Sequence, residues 1–329
     1  MNRRRRALLL APLLAAPLLA GIPRAARAAA PVRVGTLRFG AVAWELDVMR
    51  HHGLDAAAGV LAEPVEFAAA QATQVALQAG RVDMIVQDWL WVSRQRASGA
   101  DWTLSPTSAA LGAVMAPAGS GIADVADLRG KRLGVSGSPL DKSWLVLRAY
   151  AQRAHGLDLD AAVTKQFGPP PLLMEQMQAG RLDAVLAYWP FAARAEAAGL
   201  RRVLAMEDAV TALGVPPGVP FVGWVFADAL AARDPAGVTG FLRASAGARA
   251  ILASEDAEAE WARIAPLTGT SGPAELARLR AWYRRGVPAA WNVAGTGQLY
   301  DLLAGIGGPA LVGPALHLAP GTFWAAPPA

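Results

Sequence analysis

The sequence contains no cysteine in its 329 residues. This absence excludes disulfide bonds, thiolate metal sites, cysteine nucleophiles and a lipid anchor on an N-terminal cysteine. It does not assign the chain to a compartment, because cysteine-free proteins are compatible with reducing and oxidising surroundings alike.

Histidine is scarce, and the glycine patterns of common catalytic motifs are missing. Of the four histidines only His51 and His52 are neighbours, and adjacent helical side chains point in different directions. The segment "GVSGS" places a glycine one residue too early for a nucleophile elbow. No nucleotide-binding glycine pattern follows a strand. We therefore expect no catalysis, no cofactor and no bound metal.

Charged residues are few, and the positive excess is confined to the beginning of the chain. Charged residues make up 17% of the sequence, and the formal net charge is +5. Residues 1–28 contain six arginines and no acidic residue, and without those six, 25 basic residues face 26 acidic ones. A nearly neutral body offers no extended positive surface for phosphates, which argues against a nucleic acid partner.

The same 28 residues have the pattern of an export signal. The basic segment Met1–Arg6 precedes the apolar run Ala7–Ile22, which two prolines interrupt, and "ARA" ends at Ala28 as a small-residue cleavage site. We predict removal of residues 1–28 and a periplasmic location, by the Sec or the twin-arginine route. A retained membrane anchor is the alternative.

One segment of the sequence occurs twice with small differences. "LQAGRVDMIVQDW" ends at Trp89, and "MQAGRLDAVLAYW" ends at Trp189, one hundred residues later. Each copy predicts the end of an amphipathic helix, a glycine turn and a short apolar strand buried on both faces. Upstream, "VRVGTLRFGAVAW" and "KRLGVSGSPLDKSW" repeat a strand, a loop and a helix start, ending at Trp44 and Trp144. The chain therefore contains two similar α/β units.

The tryptophans that end these segments are candidates for a binding site. Strands that alternate with helices predict parallel, doubly wound sheets, whose ligands bind beyond the carboxyl ends of the strands. We expect Trp44, Trp89, Trp144 and Trp189 to face one cleft, together with Trp224 after "VPFVG". The alternative is that these rings belong to ordinary hydrophobic cores.

Two longer segments resemble a known family. "DLRGKRLGVSGSPLDKSWLVLRAYAQRAHGLDLDAAVT" and "LMEQMQAGRLDAVLAYWPFAARAEAAG" are similar to the periplasmic substrate-binding proteins of ABC importers. The nitrate, sulfonate, taurine and thiamine-precursor branch is the most similar. "HHGLDAAAG" and "PFVGWVFADAL" resemble further segments of that branch. The resemblance covers about residues 32–241.

The resemblance implies a type II periplasmic binding protein fold, with two doubly wound α/β lobes joined by a two-strand hinge. It places the crossings near Ala113–Met115 and Phe221–Trp224. Lobe one would contain residues 29–112 and 224–329, and lobe two residues 113–223. The implied partners are a small solute, an ABC permease and its ATPase, and the protein is expected to be a monomer.

The loop "SGSPLDKSW" is the most informative candidate for ligand binding. Ser138 before Pro139 predicts an N-cap, and Asp141 completes a capping box. Lys142 then lies in the first helical turn, where a cation opposes the helix dipole at a cost of about 0.3–1 kcal/mol. Either a salt bridge or a bound anion, held by Ser136, Gly137 and helix-start amides, would offset that cost.

Other residues complete the predicted site. Asp88 would favour an amine, an amidine or a hydroxyl on the ligand, or would pair with Lys142 across the lobes as a latch. Aromatic walls suit a small organic solute better than a bare inorganic ion such as nitrate. The residues predicted to contact the ligand are Arg38, Phe39, Trp44, Gln71, Asp88, Trp89, Ser136, Gly137, Ser138, Lys142, Trp144, Tyr188, Trp189 and Trp224.

The sequence thus predicts the solute-binding component of an ABC importer, which captures a small organic solute such as a sulfonate or a pyrimidine. Two other classes remain open. An enzyme is disfavoured by the missing motifs described above. A two-lobed periplasmic accessory or sensor protein, serving a dehydrogenase or a receptor, would use the same fold without transport.

Overall fold

The computed structural model describes residues 31–37, 40–68, 70–315 and 317–325. The export signal predicted for residues 1–28 lies outside this part of the chain. The described residues form ten strands in two sheets, with helices between them. The first elements are β1 (Pro31–Leu37), α1 (Ala41–His51), α2 (Leu54–Ala57), β2 (Leu61–Phe67), α3 (Ala70–Gln78), β3 (Met84–Asp88), α4 (Trp89–Ala97), β4 (Trp102–Ser108) and β5 (Gly112–Pro117).

The remaining elements follow a short 3₁₀ turn (Val125–Leu128). Those of the second sheet are β6 (Arg132–Ser136), α5 (Lys142–His155), α6 (Leu159–Ala162), β7 (Thr164–Gly168), α7 (Pro170–Gln178), β8 (Ala184–Tyr188), α8 (Trp189–Ala197), β9 (Leu200–Ala205) and α9 (Met206–Ala212). The chain ends with β10 (Val222–Ala227), α10 (Asp228–Arg233), α11 (Pro235–Ala253), α12 (Glu258–Thr268), α13 (Pro273–Arg285) and α14 (Gly295–Val312).

The two sheets share one plan. Their strand orders are β2-β1-β3-β10-β4 and β7-β6-β8-β5-β9. The first three strands of each sheet are parallel, whereas β10 runs antiparallel to β3 and β4, and β5 runs antiparallel to β8 and β9. The predicted α/β class is confirmed, but each sheet contains both parallel and antiparallel strands, whereas the sequence predicted parallel sheets. β5 and β10 follow the crossings between sheets, so each enters its sheet against the direction of the central strands.

The repeated aspartates make the same bridge in both sheets. Asp83, just before β3, accepts hydrogen bonds from the backbone nitrogen, Nε and Nη2 of Arg33 at 2.9, 3.0 and 2.8 Å. Asp183, just before β8, accepts the same three from Arg132 at 2.8, 3.0 and 2.6 Å. Each carboxylate therefore ties the start of one parallel strand to the turn that leads into its neighbour, so the repeated segment makes the same local contact in both units.

The chain changes sheets twice. The first change falls at residues 109–111, between β4 and β5, and so just precedes the predicted Ala113–Met115, which lie inside β5. The second falls between α9 and β10, ending at Phe221. We call the elements of residues 31–108 and 222–325 the first lobe, and those of 112–212 the second lobe. The predicted limits 29–112, 113–223 and 224–329 stay a prediction.

The crossings are closely packed. Gly112 has a φ of 139°, and a Cβ at this position would lie 2.0 Å from the backbone oxygen of Ala187, so only glycine fits. The backbone nitrogen of Leu111 donates to Glu207 Oε1 at 2.7 Å, and the backbone nitrogen of Phe221 donates to the oxygen of Ser108 at 2.8 Å. The first crossing segment is therefore bonded to α9 of the second lobe, and the second crossing segment is bonded to the end of β4 in the first lobe.

The C-terminal helices contact both lobes. α11 and α12 pack on α1 of the first lobe, whereas α13 packs on α8 of the second. α14, which kinks at Gly308, packs on α4 of the first lobe and α5 of the second. Among the described residues, the helices are too short or too polar to cross a membrane.

The bridge at Asp183 makes a testable contribution to stability. The hydrogen bonds from Arg132 lower the pKa of Asp183 from its ordinary 3.8 to about 2. A carboxyl with a lowered pKa in the folded state stabilises the fold above its ordinary pKa, and that contribution disappears as the pH falls towards 2. We expect Asp183→Asn to reduce the free energy of unfolding by about 1 kcal/mol at pH 7.

The measurement is urea unfolding of the wild type and the variant between pH 7 and pH 2.5. The difference should be constant at neutral pH and should narrow below about pH 4. Asp256→Asn, at an exposed turn residue, is the control and should change little. A difference for Asp183→Asn that does not depend on pH would contradict this account.

Candidate functional site

A cavity of about 420 Å³ lies between the two lobes, next to the carboxyl ends of parallel strands. This is the position that the sequence predicts for a ligand site. The first lobe contributes Leu37, Gly40, Ala41, Val42, Glu45, Val86, Gln87, Asp88, Thr107, Ser108, Val222, Tyr283 and Val287 to its wall. The second lobe contributes Asp141, Lys142, Ser143, Tyr188, Trp189, Pro190 and Phe191, and the crossings contribute Ala110, Leu111 and Phe221.

An ion pair joins the lobes across this cavity. Lys142 Nζ, at the first residue of α5, lies 3.0 Å from Asp88 Oδ2, at the end of β3. The other carboxylate oxygen of Asp88 accepts a hydrogen bond from the backbone nitrogen of Trp91 at 2.8 Å and so caps α4. Asp88 also offsets the unfavourable position of Lys142 at a helix start. The contact is the salt bridge considered from the sequence, and its role as a latch stays a prediction.

Asp141, rather than Ser138, caps α5. Its Oδ1 accepts from the backbone nitrogen of Ser143 at 2.8 Å, and its Oδ2 accepts from Tyr188 Oη at 2.8 Å. The predicted N-cap at Ser138 is wrong, because residues 138–141 close as a turn in which the nitrogen of Asp141 donates to the oxygen of Ser138 at 2.9 Å. Proline at the second position favours such a turn. The helix therefore begins at Lys142.

Burial raises the pKa of this carboxyl and of its partner. Burial raises the pKa of Asp141, although Lys142, Tyr188 and the capped amide act in the opposite direction. Burial and the adjacent carboxylate raise the pKa of Tyr188, which keeps its hydroxyl protonated as a donor. Gly137, with a φ of 95°, leaves the space for this contact, since a Cβ there would lie 2.4 Å from Tyr188 Oη. The pair forms one rigid corner of the cavity.

A second polar group of the wall was not predicted from the sequence. Glu45 Oε1 accepts from Tyr283 Oη at 2.8 Å, and Glu45 Oε2 lies 3.6 Å from Arg249 Nη1. Behind it, Ser245 Oγ accepts from Arg249 at 2.6 Å and from Trp224 Nε1 at 2.7 Å. Burial raises the pKa of Glu45, while Arg249 and Tyr283 oppose that shift. The sequence does contain one sign of this buried group, because Glu45 is an acidic residue on the apolar face of α1. Its partners could not be predicted, since they lie more than 200 residues away along the chain.

Four of the five candidate tryptophans do not line the cavity. The side chains of Trp44, Trp89, Trp144 and Trp224 are each at most 2% exposed and lie in hydrophobic cores. The prediction that they face one cleft is wrong for these four. Three of them lie near the start of a helix, as Trp189 also does, so a position at a strand end does not decide whether the ring faces a core or the cavity.

Trp189 is the tryptophan that reaches the cavity wall. Its ring lies 6.1 Å from that of Trp44 and 6.1 Å from that of Tyr283, edge to face in both cases. Tyr188 and Phe191 flank it on the wall. The predicted aromatic surface is therefore present, and buried Trp44 supports it from behind.

The other candidates divide into three groups. Arg38 and Phe39 lie outside the described residues. Ser138 and Gln71 are exposed and are not in the cavity wall, although Gln71 lies at the start of α3 as predicted. Ser136 is buried behind the wall, and its hydroxyl has no hydrogen-bond partner among the described residues. The anion cradle predicted from Ser136 and Gly137 is therefore not part of the cavity.

Comparison with known proteins assigns the chain to a family. The family model described as NMT1/THI5 like matches residues 48–259, more than half of the sequence, so the chain belongs to the NMT1/THI5-like family. No curated protein matches the sequence.

Several solved structures share the fold. The periplasmic aliphatic sulphonate binding protein SsuA from Escherichia coli has a TM-score of 0.71 at 20% identity, covering 90% of this chain and 92% of that one. The alkanesulfonate-binding protein SsuA from Xanthomonas axonopodis pv. citri, bound to MOPS, has a TM-score of 0.66 at 20% identity, covering 90% and 98%. The periplasmic nitrate-binding protein NrtA from Synechocystis PCC 6803 reaches 0.56 at 11% identity, covering 75% and 69%. The predicted two-lobed binding-protein fold is confirmed.

The different positions of the tryptophans lead to a stability prediction. We expect Trp144→Ala to lower the free energy of unfolding by about 3–5 kcal/mol, because it empties a site in a close-packed core. Trp189→Ala should lower the free energy of unfolding by less, about 1–2 kcal/mol, because that ring is partly exposed to the cavity. Urea unfolding of both variants measures the difference. Equal losses would mean that Trp189 belongs to a core.

Proposed function

We propose that this protein is the solute-binding component of an ABC importer. Family membership and the shared fold support the class of protein. The observation that carries the proposal is the cavity between the lobes, whose wall combines residues of both lobes and is bridged by the ion pair of Asp88 and Lys142. Such a site is complete only when the lobes are together, which is the requirement for capture by closure.

The mechanism is binding rather than chemistry. A solute would enter while the lobes are apart and would contact both when they meet. Contacts available only in the closed state stabilise that state, because a ligand shifts an equilibrium by its difference in affinity for the two forms. The closed protein would then dock on a membrane permease, which an ATPase drives. We infer that the protein acts as a monomer.

The cavity favours a small organic solute. Its volume of about 420 Å³ falls in the usual range for organic ligands, and much of its wall is apolar or aromatic. Glu45, Asp141 and Asp88 place carboxylates on the wall beside the ammonium of Lys142. A solute with an apolar or ring-shaped body and at least one hydrogen-bond donor satisfies these groups. A bare inorganic oxyanion would leave the apolar wall uncovered and face the carboxylates.

We also infer that the protein works in the periplasm. The basic and apolar pattern of residues 1–28 supports export and removal of that segment, leaving a mature chain that begins at Ala29. We propose the two lobes as 29–112 with 224–329, and 113–223. The change of sheet between β4 and β5 and the return at β10 fall within a few residues of these limits and support a division of this kind.

The test of function is a solute screen on the mature chain from Ala29. Carried-over ligand is removed by partial unfolding and refolding, and the melting temperature is then measured against sulfonates, pyrimidines, amines, aromatic acids, alcohols and nitrate. We expect one class of organic solute to give a saturable rise. A folded protein that responds to no member of the panel would overturn the proposal.

The ion pair across the lobes should contribute to affinity. With the solute found in the screen, we expect Lys142→Met and Asp88→Asn each to weaken binding by roughly 10–100-fold, because each leaves a partly buried partner unpaired. Isothermal titration calorimetry measures the affinity, and small-angle scattering with and without solute measures closure.

The matched control is an ion pair within one lobe. Arg96 Nη1 and Asp228 Oδ2 lie 2.8 Å apart, and both belong to the first lobe. Asp228→Asn should leave solute affinity unchanged. Equal losses for this variant and for Asp88→Asn would assign the effect to general destabilisation instead of to the bridge between lobes.

A further inference from the structure

A cluster of possible metal ligands lies outside the cavity, where the end of α1 meets α12. Each of His51, His52 and Glu260 offers one donor atom, and the three atoms all lie within 4.8 Å of one another. His52 Nε2 and Glu260 Oε2 are 3.3 Å apart. In the described part of the chain, this is the group in which three such donors come together.

The two histidines come together because the helix ends between them. His51 is the last residue of α1, and His52 follows with φ −88° and ψ 2°. Their rings are almost perpendicular, with centroids 5.0 Å apart. The expectation from the sequence, that adjacent helical histidines diverge, applies inside a helix. It is wrong at this helix end.

We propose that His51, His52 and Glu260 form a surface site for a divalent transition-metal ion, with Zn²⁺ as the best fit. Two imidazole nitrogens and one carboxylate oxygen are ligands that Zn²⁺ accepts. Bonds of about 2.0–2.2 Å in a tetrahedral site separate neighbouring ligands by roughly 3.3–3.6 Å. The distance between His52 and Glu260 already has this value. Both histidines are exposed, so ring rotation brings His51 into place and water completes the coordination.

A second layer of contacts orients the carboxylate. Arg263 donates from Nε and Nη2 to Glu260 Oε1 at 3.0 and 2.7 Å, which leaves Oε2 directed at His52. The charge of Arg263 is offset by Asp47, whose Oδ1 lies 2.5 Å from Nη2. Hydrogen bonds of this kind fix the orientation of metal-binding carboxylates and raise affinity. The partial negative charge at the end of α1 favours a cation there as well.

A bound ion would tie α1 to α12. The first turn of α1 and Glu45 belong to the cavity wall, so the ion would hold that wall from its far side. The proposal does not depend on the proposed function, because it concerns residues outside the cavity.

The test is metal titration of the tag-free mature chain after treatment with a chelator. We expect ZnCl₂ to bind at one equivalent by isothermal titration calorimetry and to raise the melting temperature until that equivalent is reached. MgCl₂ should produce neither effect, because Mg²⁺ prefers oxygen ligands. His51→Ala, His52→Ala and Glu260→Gln should each weaken Zn²⁺ binding by at least roughly tenfold. Circular dichroism checks that each variant is folded.

The chain supplies a matched control. His317 Nδ1 lies 3.2 Å from Asp301 Oδ1 on another exposed surface, where no third donor from the described residues joins this histidine and carboxylate. His317→Ala should leave Zn²⁺ binding unchanged. The proposal is overturned if no saturable binding occurs. It is also overturned if the three ligand variants bind as the wild type does, or if several weak equivalents respond to His317→Ala, which would indicate adventitious ion binding only.

Discussion

The carboxylate of Asp88 serves both lobes at the same time. One oxygen caps α4 in the first lobe, and the other holds the ammonium of Lys142 at the start of α5 in the second. Without it, the first turn of α4 would lose its cap and the cation at a helix start would lose its partner. The cavity therefore forms around a group whose position is fixed by backbone structure on one side and by charge on the other.

The two other acidic side chains of the cavity wall are also held by partners within the protein. Asp141 is fixed by a backbone amide and by Tyr188, and Glu45 by Tyr283 and Arg249. These side chains are oriented by the protein, so they need not rearrange to meet a solute. Around them the wall is apolar, with Trp189 supported from behind by Trp44. The wall therefore presents a few oriented polar groups within an apolar and aromatic surface.

The sequence predicted the two α/β units better than the wall of the cavity, because the contacts within each unit are close along the chain and those of the wall are not. The repeated segment fixed the two sheets, because Asp83 and Asp183 act within their own α/β units. Whether a tryptophan faces a core or a cleft depends on what packs against the helix. Its position at the end of a strand therefore did not predict which of the five rings lines the cavity. Glu45 meets Tyr283 at a separation of 238 residues, and no local pattern reports such a pair.

The wall of the cavity contains residues from Leu37 to Val287, and Val287 lies between α13 and α14, the last helix. During synthesis, a chain that extends only to the end of the second lobe contains strands of both sheets. It still lacks β10 and Tyr283. The pocket is among the last features of the molecule that can form, since its closure waits for contacts of very long sequence separation. Each lobe can acquire local structure while the chain is still emerging, but the wall of the cavity is complete only when the chain has reached Val287.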